Sequence, residues 1–304
     1  MALYHDYRPT TFDEVVGNEQ VIASLKAEMQ KETPAHAYLL HGPTGCGKTT
    51  LGRIIAKELG CHEDDFAEID SADFRGIDTV RELRRQSQYQ PLSGKCRVWL
   101  LDEVHQNTRD AQHALLKALE DAPAHVYYIL ATTEPQKLLP TIRGRCTQYQ
   151  VNQLTNKEML MLLRRIVKAE GKKLTKEIYE HIIESGQGHP RNTLQILDQV
   201  LNVDEDMQVE IAKQAVELET DAIELCRALM QRASWKKVAS ILTKIKDQDA
   251  ESIRRLVLSY CNSILLKGEN MTAGLVMEHF IEPFYNTGFP GLTFACFSIV
   301  CGED

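Results

Sequence analysis

Apolar residues in the first half of the chain fall into short unbroken runs, separated by stretches in which they recur at helical spacing. Residues 37–40, Val98-Trp99-Leu100-Leu101 and Val126-Tyr127-Tyr128-Ile129-Leu130 have the length and bulk of strands buried on both faces, and polar residues follow each run. The pattern predicts helices over 51–59, just after the first run, and over 108–120, between the second and third. Strands alternating with helices imply a parallel sheet covered on both faces, with ligands bound beyond the carboxyl ends of the strands.

After about residue 151 the strand pattern fades into amphipathic helices, punctuated by Gly171 and by Gly186-Gln187-Gly188. A following acidic stretch, from Asp204 to Asp221, contains only Lys213 as a basic residue and marks a boundary near 203. The expected organisation is an α/β domain at 1–150, a small helical domain at 151–203 and a helical body at 204–304. No internal repeat or low-complexity tract is visible.

Composition adds mainly exclusions. With 43% hydrophobic and 26% charged residues over 304 positions, the chain is an ordinary globular one, neither disordered nor fibrous. Its net charge of -8 does not advertise nucleic acid, so any DNA contact requires basic residues segregated onto one surface. The N-terminus lacks a leader pattern, and no window approaches the ~18 apolar residues of a membrane span; the expectation is a cytoplasmic protein with no membrane partner. The 8 cysteines include no Cys-x-x-Cys pair, which predicts reduced thiols and no zinc site.

The chemistry concentrates at Gly42-Pro43-Thr44-Gly45-Cys46-Gly47-Lys48-Thr49-Thr50, a full P-loop between the first strand and its helix. Glycines let backbone N–H groups converge on phosphates, Lys48 brings a point charge to the β/γ oxygens, and the Thr49 hydroxyl suits Mg²⁺. Cys46 reads most simply as a small packing residue. Asp102 and Glu103 end the second apolar run. Acidic residues can end a strand for solubility alone, but after a P-loop they fit an ATPase in which Asp102 holds the Mg²⁺ shell and Glu103 activates water. His105 and His113 lack partners at metal-ligand spacing and read as surface or helix-cap histidines.

With these residues in hand, further segments become recognisable: Tyr7-Arg8-Pro9, Val15-Val16-Gly17-Asn18, Asp102-Glu103-Val104-His105, Ala131-Thr132-Thr133-Glu134-Pro135-Gln136-Lys137 and Gly144-Arg145-Cys146. Together they resemble the clamp-loader ATPases of the AAA+ superfamily, namely the bacterial DNA polymerase III gamma/tau subunits and, through Arg75-Gly76-Ile77-Asp78 and Thr108-Arg109-Asp110-Ala111-Gln112, the replication factor C small subunits. The resemblance is dense from about residue 4 to 200 and only architectural beyond. It implies an AAA+ P-loop domain, an all-α lid and an all-α collar, with ATP and Mg²⁺ bound. Tyr7, Arg8, Pro9, Val15 and Val16 would join the P-loop around the nucleotide. Thr133 matches sensor 1 and Arg191, after Pro190 at a helix start, matches sensor 2. Arg145 matches the arginine that reaches a neighbour's ATP, with Arg143 beside it as a second candidate.

The same resemblance implies partners: a sliding clamp, primer-template DNA and other clamp-loader subunits, of the same or homologous chains, in an open pentameric ring. Arg75 and Arg109 would follow the DNA backbone from helix starts. A helix over 78–92 would face the clamp, with Tyr89 and Leu92 as its contacts, while Val80 and Leu83 read as core or clamp residues. Trp235, Phe280, Phe284, Tyr285, Phe289, Phe294 and Phe297 would pack the collar or serve its interfaces. Of the family's four-cysteine zinc module only Cys61-His62-Glu63-Asp64-Asp65 remains. The implied function is an ATP-driven clamp-loader motor, stimulated by DNA and clamp. The alternatives are a non-hydrolysing stator, which the intact Lys48, Thr49 and Glu103 argue against, and another AAA+ motor such as a branch-migration helicase.

Overall fold

The computed structural model describes residues 2–71, 76–203, 207–209, 212, 223–246, 248–266, 268–284 and 287–302. Arg75 and Tyr285, singled out above, lie outside the described residues. The chain divides into two compact units, Met1–Asp204 and Glu205–Asp304.

The first unit is built on β1 (Ala37–His41), β2 (Phe66–Asp70), β3 (Arg97–Asp102), β4 (Val126–Thr132) and β5 (Thr147–Gln150). All of its strand pairs are parallel, in the order β2-β3-β4-β1-β5. Its helices are α1 (Leu3–Asp6), α2 (Glu19–Met29), α3 (Lys48–Glu58), α4 (Ile77–Gln86), α5 (Arg109–Glu120), α6 (Pro140–Arg145), α7 (Asn156–Ala169), α8 (Lys176–Gly186) and α9 (Pro190–Leu201).

Alternation along the strands explains the layering, because successive side chains point to opposite faces. Leu39, Trp99, Leu101, Tyr128 and Leu130 join one core with Val80 and Leu83 of α4, Leu115 of α5 and Ile142 of α6. Tyr38, Leu40, Val98, Leu100 and Ile129 join the other with Ile22 and Leu25 of α2 and Leu51, Ile54 and Ile55 of α3. Val80 and Leu83 are therefore core residues. The apolar runs are the three central strands, whereas β2 and β5 escaped the sequence reading because they are short, polar edge strands half-exposed to solvent.

Register brings the chemistry to one edge. His41 aligns with Thr132 and Asp70 with Asp102, so the carboxyl ends of β1, β3 and β4 open side by side. Over that edge stand α7 and α9, with α8 packed against both. A capping box starts α7, with the Glu158 N–H donating to Thr155 Oγ1 at 3.3 Å and the Thr155 N–H to Glu158 Oε2 at 2.7 Å. The helix expected over 78–92 ends at Gln86, and Pro91 lies in the following loop, where no further helical hydrogen bond is needed.

The described part of the second unit is helical, at 223–230, Trp235–Lys244, Ala250–Leu265, Met271–Phe280 and Gly288–Cys301. Phe280 and Phe284 lie in its core while Phe294 and Phe297 are exposed, so the aromatic-rich end divides between packing and surface. No helix among the described residues is long and apolar enough to cross a membrane.

Candidate active site

The loop between β1 and α3 depends on a backbone that only glycine tolerates. At Gly42 φ is 151°, and a Cβ there would lie 2.0 Å from the Val151 carbonyl oxygen. Gly47 then leads into α3, whose N-terminus carries no side-chain cap, leaving its first N–H groups to meet an anion. Lys48 is buried and donates to the carbonyl oxygens of Gly42 and Pro43, both at 2.9 Å. Burial holds its pKa below the usual range, against the opposing pull of Glu103 and then Asp102. His41, at the strand end, is also held below its usual range, by burial and then by Lys48.

The Thr49 hydroxyl donates to Asp102 Oδ2 at 2.6 Å, joining the P-loop to the end of β3. Asp102 Oδ1 accepts the Glu103 N–H at 2.9 Å, and Glu103 turns the chain through a left-handed φ of 46°. Glu103 Oε2 in turn accepts from the Thr133 hydroxyl at 3.3 Å, one residue past β4. His105 departs from the sequence reading. Its side chain is 7% exposed, with Nδ1 3.2 Å from Glu103 Oε2, so it is neither a surface nor a cap histidine. The short helical turn of Val104–Gln106 brings its Nδ1 within 2.9 Å of Thr132 Oγ1, at the end of β4.

From the helices above comes His189, immediately before α9. The Gln153 amide lies 2.8 Å from its Nε2, and its Nδ1 lies 2.7 Å from the Thr44 carbonyl oxygen. A hydrogen on Nδ1 satisfies both contacts, donating to Thr44 and accepting from Gln153. The ring therefore bridges the P-loop and the helical part of this unit.

Between them is a cavity of about 240 Å³. Tyr7, Arg8, Pro9, Val15, Val16, Thr44, Gly45, Cys46, Gly47, Lys48, Thr49, Thr50, Asp102, Glu103 and Arg191 all line it. Gly42 and Pro43 do not, and serve instead through the carbonyls that hold Lys48. Arg53, paired with Glu68 at 2.7 Å, and Arg165, Leu154, Leu162 and Leu194 also line it and were missed, because only folding brings them to the loop. His189 carried a visible signal, its place directly before Pro190-Arg191. The lining thus combines an apolar part (Val15, Val16, Leu154, Leu162, Leu194) with a cationic one (Arg8, Lys48, Arg53, Arg191), where burial and then the neighbouring Arg53 lower the Arg8 pKa. Thr49 and Asp102 provide hydroxyl and carboxylate oxygens, the donor type that a hard divalent cation takes.

Other candidates lie elsewhere. Arg145, at the end of α6, pairs with Glu120 at 2.6 Å. Arg109 is the exposed first residue of α5, after the Thr108 cap. Tyr89 and Leu92 are 60% and 77% exposed in the loop after α4.

The family described as DNA polymerase III, delta subunit, matches residues 17–73 and 65–155. The gamma/tau subunit of DNA polymerase III from Mycobacterium tuberculosis H37Rv is 41% identical over 224 residues, 66% of this chain and 39% of the relative. The tau subunits of Bacillus subtilis and Escherichia coli K12 are 33% and 34% identical, over 68% and 66% of this chain and 40% and 34% of their own lengths. The chain thus spans about two fifths or less of these relatives. Among solved structures, the Thermotoga maritima RuvB Holliday junction branch migration motor superposes with a TM-score of 0.60 at 22% identity, over 78% of this chain and 85% of that one. That likeness shows the fold, a parallel sheet flanked by helices. By its sequence the chain is thus similar to the DNA polymerase III gamma/tau subunits over about two thirds of its length, and to the delta-subunit family over residues 17–155.

Proposed function

We propose that the chain is a motor subunit of a clamp loader, which hydrolyses ATP to open a sliding clamp and place it on primer-template DNA. The observation that carries the reading is the Thr49–Asp102 hydrogen bond of 2.6 Å at the mouth of the P-loop, with Glu103 beside it in contact with Thr133. A structural subunit that never hydrolyses ATP has no use for this linked set.

In this reading the triphosphate of ATP meets the N-terminus of α3, and Lys48 exchanges its two carbonyl partners for phosphate oxygens. Thr49 and Asp102 would hold Mg²⁺, which when bound neutralises charge on the β- and γ-phosphates. Glu103 accepts a proton from the attacking water as its oxygen bonds to the γ-phosphorus. The bond from that phosphorus to the β-phosphate oxygen breaks, leaving ADP and inorganic phosphate. Thr133 orients the water or γ-phosphate, and Arg191 carries the presence of γ-phosphate to the helices above. The apolar part of the cavity takes the base.

The remaining roles involve neighbours. Arg145 leaves Glu120 to reach ATP on an adjacent subunit, in a ring of like or homologous chains with five members. Arg109, at the start of α5, and Arg75 follow the phosphate backbone of the DNA, and Tyr89 and Leu92 meet the clamp. The RuvB likeness concerns the fold alone and favours no second reading.

Steady-state ATP hydrolysis by the purified chain, with primed DNA, clamp and candidate partner subunits added in turn, tests the proposal. Hydrolysis should rise with DNA and clamp. The Glu103→Gln variant should bind ATP normally and turn it over at least about 100-fold more slowly. Hydrolysis indifferent to both DNA and clamp would reject the clamp-loader assignment.

A further inference from the structure

We propose that His105 is a positioning residue for hydrolysis, its Nδ1–H holding the Glu103 carboxylate in place. The inference rests on the reading of Glu103 as the base that accepts the proton from water. Glutamate has one of the most rotamer-rich side chains, and a base must stay within hydrogen-bond reach of its proton. The Glu103 backbone is anchored by its N–H on Asp102 Oδ1 at 2.9 Å. That contact leaves the side-chain torsions free. Two groups restrain the far end, and both act on Oε2: the Thr133 hydroxyl at 3.3 Å and His105 Nδ1 at 3.2 Å.

Thr133 is the weaker holder, because in the proposed cycle its hydroxyl also serves the water or γ-phosphate. His105 is fixed independently of the nucleotide. Its Nδ1 lies 2.9 Å from Thr132 Oγ1, at the end of β4, and its Nε2 lies 3.4 Å from Glu134 Oε1. Glu134 is itself held, by Lys137 at 2.8 Å and by its own N–H on Thr132 Oγ1 at 3.0 Å. The chain Lys137–Glu134–His105–Glu103 thus runs from the surface to the base.

The contacts select the tautomer. If Nδ1 accepted a proton from Thr132, its lone pair would face a carboxylate oxygen 3.2 Å away, which is repulsive. With hydrogen on Nδ1, that N–H donates to Thr132 at 2.9 Å and lies beside Glu103 Oε2 at 3.2 Å, an attractive contact, whereas the Nε2–Glu134 contact is attractive only with a hydrogen on that nitrogen as well.

Replacement tests the geometry. His105→Ala should lower kcat by about ten- to hundredfold, the usual effect of losing a group that orients a catalytic one. KM for ATP and the Kd of a non-hydrolysable ATP analogue should stay unchanged. An asparagine amide stands near the position of Nδ1 and a glutamine amide near that of Nε2, so His105→Asn should recover most of kcat and His105→Gln should not. Full turnover by His105→Ala, equal rescue by Asn and Gln, or a loss of ATP binding that parallels the loss of kcat would each overturn the proposal. Measuring Glu103→Gln alongside separates two failures. Wild-type turnover there would sink the base assignment and His105's role with it, whereas slow Glu103→Gln beside a fully active His105→Ala would sink only the role of His105.

Discussion

Asp65 organises the loop that displays Tyr89 and Leu92. Its buried carboxylate accepts the N–H groups of Leu92, Ser93 and Gly94 at 2.6, 2.8 and 2.8 Å, and lies 3.4 Å from Arg97. Burial pushes its pKa up, but the N–H donors and then Arg97 outweigh it and hold the group at about 2. A folded pKa below the unfolded value of ~3.9 means that ionised Asp65 favours the native state; that stability is present above about pH 4 and is lost as pH falls toward 2. Asp65→Ala should cost on the order of 1–2 kcal/mol at pH 7 in urea unfolding followed at Trp99. It should also shrink the drop in stability between pH 4 and pH 2. Equal acid sensitivity of the two proteins would show that Asp65 is not the linked group.

At the scale of elements, the contact of α3 with the sheet sets where Lys48 and Thr49 stand. A Cβ on Gly52 would lie 2.8 Å from Leu100 Cδ1 and 3.3 Å from Ile129 Cγ2, so the helix rests directly on β3 and β4. Gly52→Val should destabilise the first unit by about 1–3 kcal/mol through overpacking. If α3 shifts to relieve the overlap, ATP affinity should fall as well, a split that thermal melts with and without nucleotide would reveal. The loop after α4 poses the opposite case, apolar side chains held out in water by polar anchors behind them. Tyr89→Ala with Leu92→Ala should weaken clamp binding at least about tenfold while leaving basal ATP hydrolysis and melting temperature unchanged. Clamp binding equal to wild type in a pull-down would remove these residues from the interface.

For the whole molecule, the question is whether one chain completes its own site. Arg145 does not line the P-loop cavity and pairs with Glu120 instead, so its proposed role requires a neighbour. Arg145→Ala should keep ATP binding and lose about a thousandfold in stimulated hydrolysis. Mixing Arg145→Ala with Glu103→Gln chains should recover part of the rate, because some interfaces then join an intact base to an intact arginine. Absence of recovery, in mixtures shown to co-assemble, would mean that the arginine does not act between copies of this chain.

The P-loop, the carboxylates of β3 and the central strands were legible in the sequence because each is a local pattern. Glycine spacing shapes one loop, and an apolar run four or five residues long, rich in bulky side chains and ended by polar residues, has the length of a strand buried on both faces and not of a helix. The cavity's further lining was not legible: Arg53, Glu68, Arg165 and Leu194 come from separate elements, and no local spacing relates them. The edge strands β2 and β5 were hidden for a related reason, since pairing with β3 and β1 supplies what their polar sequences lack. Sequence therefore determined which groups the chain has for phosphate and water chemistry. Tertiary structure alone decided that His105 faces Glu103 and His189 meets Thr44, because such contacts depend on strand register and helix docking and not on distance along the chain.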